Sequence, residues 1–347
     1  MRKIGRQKLD VRGGRIELAH GAGGAAMAQL IKEIFHAAFD NEWLRREDDQ
    51  AVFETREGRM AIATDSFVVS PLFFPGGDIG ALAVNGTVND VALAGARPLY
   101  LTASFILEEG LPLSDLKRIA ESMGHAARNA GVEIITGDTK VVERGKADGV
   151  FITTTGVGLI DGALQLSADK ARPGDRVILS GSIGDHGCAI LSVRENLSFE
   201  TEIVSDQAAL HGLIAAIVAA SGFGLRVMRD PTRGGLAATL NEIAGRSAVG
   251  FHIDERAIVI KPGVAAACEI LGLDPLYIAN EGKLVAIISP ESSDAVLQAM
   301  RTHPLGREAS IIGEVVDDAR EFVQMTTKLG GRRIVDRLSG EQLPRIC

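Results

Sequence analysis

Four aspartates stand where a bare charge is costly. Asp65 closes the apolar run Ala-Ile-Ala-Thr-Asp-Ser, and Asp90 lies inside the helical-looking stretch Val-Asn-Asp-Val-Ala. Asp138 follows a strand-like run at Thr-Gly-Asp-Thr-Lys, and Asp49, in Glu-Asp-Asp-Gln-Ala, precedes another short apolar run. A carboxylate embedded in apolar sequence needs positive charge close by. Hard oxygen ligands that leave water positions open suit Mg²⁺ bridging nucleotide phosphates. Taken singly, each aspartate reads first as a cap or a turn residue. Asp90, with helical apolar neighbours, fits that reading least, and together the four indicate a metal–phosphate site.

Two glycine-rich turns could serve the same ligand. One, with His20, Gly21, Gly23 and Gly24, directly precedes a helix; the other, Gly181 to Gly187, lies between a strand and a helix. Backbone N–H groups at a helix N-terminus favour phosphate, and glycine lets it approach. Neither turn spells a Walker A loop or a dinucleotide fingerprint, so ordinary tight turns are the even alternative. His20 and His186 flank these turns and read as structural. No His-Glu-x-x-His or Gly-x-Ser-x-Gly occurs, which removes zinc-protease and α/β-hydrolase chemistry.

The last four residues, Pro344 to Cys347, put a thiol at the end of a polar, proline-containing segment. Such a thiol is expected to be exposed and mobile, and thiols react when exposed and ionised. Arg345 would favour the thiolate and the adjoining α-carboxylate oppose it. Prenylation does not fit, because the cysteine is last instead of fourth from the end. Cys188 and Cys268 lie in apolar helical sequence and read as inert core residues.

These residues need a scaffold, and the chain supplies one of mixed type. Strand candidates are 60–63, 100–107, 132–135, 150–157, 176–179, 250–253, 284–288 and 311–315. Helix candidates are 25–39, 79–94, 114–130, 187–194, 206–220, 234–244 and 290–301. The start at Ser114 rests on periodicity, since Lys117 stands where a capping box would have Glu. The alternation predicts an α/β protein. With 347 residues the chain suits two domains, and the punctuated stretch Ser167 to Asp175 is the expected boundary.

Composition narrows the function classes. Charged residues make up 24% and hydrophobic ones 46%, a globular profile. A net charge of -8 and only 4% aromatics argue against nucleic acid as a partner. No uninterrupted apolar run suggests a membrane span or a signal peptide. Three widely spaced cysteines form no disulfide framework and no Cys-x-x-Cys zinc site, so the cytoplasm is the expected compartment.

The motifs His-Gly-Ala-Gly-Gly, Thr-Asp-Ser-Phe-Val-Val, Pro-Leu-Phe-Phe-Pro-Gly-Gly, Asn-Asp-Val-Ala and Thr-Gly-Asp-Thr-Lys-Val-Val occur in that order. Gly-Asp-His-Gly, Asp-Pro-Thr-Arg-Gly-Gly, Ala-Asn-Glu-Gly-Lys-Leu and the closing Pro-Arg-Ile-Cys follow. From His20 to Cys347 the chain resembles the HypE family of hydrogenase maturation factors, within the aminoimidazole ribonucleotide synthetase-like (PurM-like) ATP-binding superfamily. The resemblance implies an N-terminal segment with the Gly-rich loop (1–45) and an ATP-binding domain forming a dimeric β-barrel (46–166). A C-terminal α/β domain (167–336) and a mobile tail (337–347) would follow.

The resemblance also implies a reaction. The carbamoyltransferase HypF would load a carbamoyl group onto Cys347, and ATP with Mg²⁺ would drive dehydration of that thiocarboxamide to a thiocyanate. The cyano group would pass to iron on a HypC–HypD complex, supplying cyanide ligands of [NiFe]-hydrogenase. Asp49, Asp65, Asp90 and Asp138 then fall on metal–nucleotide positions, with the loop at His20 over the phosphates. Lys140 and Glu281 are candidates for orienting the thiocarboxamide and removing its protons. The metal motif reads Asp-Asp-Gln-Ala-Val where the superfamily often has Asp-Asp-Ala-Ala-Val, so Asp48 and Asp49 both stand at the ligand position. A homodimer is implied, as is a tail that swings between exposed and inserted positions. Selenophosphate synthetase shares the scaffold, but its family carries a reactive cysteine or selenocysteine near the N-terminus, and no cysteine here precedes Cys188. A thiamine-phosphate kinase, or a thiol carrier without ATPase activity, leaves either the tail or the aspartates idle.

Overall fold

The computed structural model describes residues 8–22, 25–46, 53, 58–162, 164–197, 202–337 and 345–347. In chain order its first half runs α1 (Ala25–Leu30), a π-helical stretch Ile31–His36, α2 (Ala37–Phe39), β1 (Arg59–Phe67), β2 (Phe73–Phe74) and β3 (Gly77–Asp78). Then come α3 (Ile79–Leu93), β4 (Arg97–Glu108), α4 (Leu113–Ala130), β5 (Glu133–Val142) and β6 (Val150–Ile160). The second half comprises β7 (Arg176–Leu179), α5 (Asp185–Arg194), α6 (His211–Ser221), β8 (Leu225–Arg229), α7 (Gly235–Ser247) and β9 (Gly250–Asp254). It ends with α8 (Pro262–Leu271), β10 (Val285–Ile288), α9 (Pro290–Thr302), β11 (Ser310–Val316), β12 (Val323–Thr326) and β13 (Arg332–Ile334).

The first sheet has the order β1-β6-β4-β5, with β4 and β5 parallel and the other neighbours antiparallel. Along β1 covered and exposed residues alternate, the period-two signature of a sheet with one buried face. Helices α3 and α4 cover that face, while Met60, Ile62 and Ile106 project from the other into solvent. Among the described residues the sheet of one chain stays open and closes no barrel by itself. Helix α4 shows why it docks: Leu116, Ile119, Ala120, Met123 and Ala127 recur at helical spacing and are buried. It starts after Pro112 with no side-chain cap, one residue ahead of the expected Ser114.

The second sheet has the order β13-β12-β9-β11-β7-β10-β8. Val177 and Leu179 of β7 pack with α7 on one face, whereas Ile178 packs with α6 and α9 on the other. A strand covered on both sides reads as an unbroken apolar run, as Val-Ile-Leu does here. Helix α3 is buried almost all round, and its Ala92 and Leu93 join the core under α6 and α9. It is the shared wall between the two sheets.

Candidate active site

The seam beside α3 gathers charged residues from both halves. Asp65 lies opposite Thr154 on the covered face of the first sheet. The Thr154 hydroxyl donates to the Ala83 carbonyl (3.0 Å) and pairs with the Thr87 hydroxyl (2.6 Å), which fixes α3, and therefore Asp90, on that sheet. Next to Asp90 on α3, buried Asn89 reaches the second half: its Nδ2 donates to the Ala208 carbonyl (3.0 Å), and its Oδ1 accepts from the Leu210 N–H (2.7 Å).

The segment so anchored carries Asp206, whose carboxylate accepts from the Glu281 N–H (3.1 Å), the Gly282 N–H (3.2 Å) and Lys283 Nζ (3.0 Å). Gly282 is required there, because a Cβ would stand 1.8 Å from the Asp206 carbonyl oxygen. Burial alone would raise the Asp206 pKa, but Lys283, His186 and the Glu281 N–H outweigh it and hold the carboxyl below its ordinary value. A charged Asp206 thus grips the loop that presents Glu281. Asn280 ties this loop to its neighbours, accepting from the Gly184 N–H (2.7 Å) and donating to the Pro231 carbonyl (2.9 Å).

Pro231 belongs to Asp-Pro-Thr-Arg-Gly-Gly, which runs from the end of β8 into α7. Gly234 (φ 74°) and Gly235 (φ 61°) adopt left-handed conformations that favour glycine, turning the chain so that Arg233 faces the seam. Its guanidinium is 3.6 Å from Asp65, and Cys347 is the strongest influence holding its charge in place.

The local field is acidic. Burial, then Asp230 and Asp65, push the Asp90 carboxyl up to about 7. Burial, with Asp65 adding, pushes Asp230 up to about 6. Burial, then Asp230, Asp206 and Asp65, push Glu281 well above the usual carboxylate range, against an opposing hydrogen bond from Cys347. Burial and Glu281 raise the Cys347 thiol as well, against the pull of Arg233. Carboxylates that hold one another's protons are hard donors short of positive charge. Asp65, Asp90 and Asp230 therefore fit a divalent cation in donor chemistry. Among the described residues no three His, Cys, Asp or Glu side chains converge as a ready-made metal cage. Mg²⁺ needs none, since one or two carboxylates plus phosphate oxygens and water commonly hold it.

The tail is seated in this seam. Ile346 is buried in the first core and Cys347 packs against it, half-buried. His186 Nε2 meets the Ile346 carbonyl at 2.8 Å, and Nδ1 meets the Ser205 hydroxyl at 2.8 Å. A carbonyl can only accept, so the ring proton sits on Nε2; burial lowers the His186 pKa and favours that neutral ring. The Arg345 carbonyl accepts from the Ser70 N–H (3.3 Å) and from Arg194, while the Arg345 side chain pairs with Asp148.

Of the residues singled out from sequence, Asp65, Asp90, Glu281 and Cys347 converge here. His20, Gly21, Asp138 and Lys140 form a second group along β5. Lys140 Nζ is 3.3 Å from Asp138, both are exposed, and Gly21 packs so closely that a Cβ would stand 2.7 Å from the Val141 nitrogen. His20 is buried, its Nδ1 accepting from the Glu17 N–H (2.9 Å). Strand register puts Asp138 level with Ser104, Thr153 and Ser66, on the face opposite Asp65, so it does not join Asp65 and Asp90 within one chain. Asp48, Asp49, Gly23 and Gly24 lie outside the described residues. Sequence reasoning left Asp206, Asp230, Arg233, Lys283 and Arg194 without a role and read His186 as merely structural. For Asp230 and Arg233 the signal was there, in a polar motif ending in paired glycines.

Two family models match the chain: the AIR synthase related protein N-terminal domain over residues 47–160, and its C-terminal domain over residues 172–326. Carbamoyl dehydratase HypE of Bradyrhizobium diazoefficiens is 68% identical over 345 residues, 99% of this chain and 100% of that protein. A crystal structure of hydrogenase maturation protein HypE in complex with ATP superposes with a TM-score of 0.92 at 50% identity, covering 95% of this chain and 99% of that one. A HypE–HypF complex structure matches with a TM-score of 0.79 at 50% identity, covering 91% of this chain and 100% of that chain.

Proposed function

This chain belongs to the HypE carbamoyl dehydratase family, and we propose that it dehydrates a carbamoyl group carried on Cys347, using ATP. The observation that carries this reading is the placement of Cys347 beside Glu281, Arg233 and the acidic group of Asp65, Asp90 and Asp230. The overall change converts R–S–C(=O)NH₂ and ATP into R–S–C≡N, ADP and phosphate; the amide oxygen leaves, and both nitrogen protons must go. ATP supplies the phosphoryl group that makes that oxygen a leaving group, with Mg²⁺ neutralising the phosphates.

The chain's own residues do the rest. Arg233 faces the sulfur-borne group and can donate to its oxygen. Glu281, its pKa raised by burial and by the neighbouring Asp230, Asp206 and Asp65, is the base for the nitrogen protons. Asp206 and Lys283 hold the Glu281 loop still. Asp65 and Asp90 are our metal ligands, joined by Asp230 and by Asp49. His20, Gly21, Gly23, Gly24 and Asp138 are assigned to the nucleotide and Lys140 to orienting the carboxamide; lying on the face opposite Asp65, Asp138 and Lys140 would meet the Cys347 site only across the homodimer proposed below.

The acceptor tail swings out to a HypF-type carbamoyltransferase, returns to the seat described above, and delivers its cyano group to iron on a HypC–HypD complex. A reducing, cytoplasmic setting suits a free acceptor thiol. A homodimer formed across the open face of the first sheet would cover Met60, Ile62 and Ile106. Mass spectrometry of Cys347 after incubation with the carbamoylation partner, before and after ATP, tests the whole reading. A carbamoyl adduct that loses the mass of one water on adding ATP supports it; an adduct that ATP leaves unchanged overturns it.

A further inference from the structure

The helices behind the tail seat hold a second pair of thiols. Cys188 on α5 and Cys268 on α8 are both buried, and their sulfurs are 3.7 Å apart. Cys268 also lines a cleft of about 250 Å³ between α8 and β12, together with Ile258, Leu273 and Met325. Cys188 is 0% exposed and packs among Ala189, Val264 and Ala267. The hydrogen bond from Cys188 lowers the Cys268 pKa, so the thiol nearer the cleft ionises the more readily. The pair is thus asymmetric, with one reachable sulfur and one held behind it.

We propose that Cys268 and Cys188 form a dithiol redox site that takes hydroperoxide oxidants. The Cys268 thiolate attacks the peroxide oxygen, the O–O bond breaks, and Cys268 becomes a sulfenic acid as hydroxide leaves. The Cys188 thiol then displaces that oxygen, water departs, and a disulfide joins α5 to α8. Two thiols lose two electrons and two protons, and the peroxide is reduced to two waters. Closing 3.7 Å to a bond of about 2.05 Å draws the helices together by roughly 1.6 Å, a small movement for two packed helices.

That movement reaches the tail. His186 precedes Cys188 by two positions, so at about 100° per residue the two side chains point to opposite sides of α5. Pulling Cys188 toward α8 withdraws His186 from the Ile346 carbonyl it holds at 2.8 Å. Oxidation therefore loosens the seat of Cys347. The redox site stands apart from the dehydratase reading, and its effect on the tail rests only on the seat geometry.

The test uses the full, reduced chain treated with hydrogen peroxide, then catalase, then a short pulse of iodoacetamide, with peptide mass spectrometry as the readout. A peptide pair joining Cys188 to Cys268, released by dithiothreitol, is expected. Iodoacetamide labelling of Cys347 should rise several-fold on oxidation of the wild type and stay unchanged in Cys268→Ala or Cys188→Ala. Recovering both cysteines as free thiols after peroxide would overturn the site. A complete cross-link with unchanged labelling of Cys347 would overturn the link to the tail.

Discussion

Ile346→Ala separates the seated tail from the free one. Ile346 is 3% exposed in the first core, whereas the other holds on residues 345–347 run through backbone carbonyls, the Arg345 side chain and Cys347 itself. The substitution removes three carbons from a buried position. At about 0.8 kcal/mol per carbon it weakens seating by about 2.4 kcal/mol, or roughly 50-fold. A chain end can leave its site without unfolding the protein, so the loss should fall on docking and not on global stability. The assay is the rate of Cys347 alkylation under native conditions, which rises in proportion to the undocked fraction until the tail is fully released. Alkylation up to about 50-fold faster, with an unchanged melting temperature, is the expected result. With a carbamoylation partner the variant should load at least as fast as wild type yet dehydrate more slowly. A change in alkylation below about threefold would refute the reasoning, since the burial of Ile346 would then have no part in holding the thiol.

Three further substitutions address the charged seam. Glu281→Gln should abolish dehydration while leaving carbamoylation of Cys347 intact. In the wild type the ATP-dependent step should accelerate as pH rises through the elevated Glu281 pKa, because the base is the ionised form; a flat pH profile would count against that role. Asp206→Asn leaves Lys283, 12% exposed, without its buried partner. Such losses typically cost about 3 kcal/mol or more, which denaturant melts would register, and wild-type stability would contradict the grip assigned to Asp206. Asp90→Asn should cut ATP turnover steeply and yet stabilise the nucleotide-free chain at pH 8 more than at pH 6. The Asp90 carboxyl is raised from 3.8 to about 7, so its charge destabilises the fold progressively above about pH 4 and fully above about pH 7. Thermal melts at both pH values check the sign.

Much of the scaffold was legible because burial writes itself into sequence. Arg176–Leu179 reads as a strand from its unbroken apolar run, and the spacing in α4 announces a helix with one buried face. The expected helix from Asp206 begins only at His211, because Asp206 and Leu210 spend their polar groups on Glu281, Lys283 and Asn89. Those partners lie far along the chain, so no local pattern could reveal them. The strand β8, with arginines at two of five positions, and the short β12 and β13 give too little periodicity to stand out. The site divides the same way. Aspartates in apolar surroundings could be picked out one by one, but the face to which Asp138 points depends on strand register, which a single strand does not encode. That Cys347 meets Glu281 depends on how two sheets pack across α3.

The burial of α3 on nearly every side has a consequence for how the protein comes apart. A helix with a solvent face could stay with one sheet while the other melted. Here Ala92 and Leu93 complete the core beneath α6 and α9, while Leu82, Val84 and Val88 belong to the core beneath the first sheet. Neither half can hide its apolar surface once the other has gone, and Asn89 loses its hydrogen-bond partners in the same event. The chain should therefore unfold as one cooperative unit despite its two sheets, with spectroscopic probes in either half following a single curve. Selection then acts on both halves together, because a destabilising change in either one lowers the folded population of the whole.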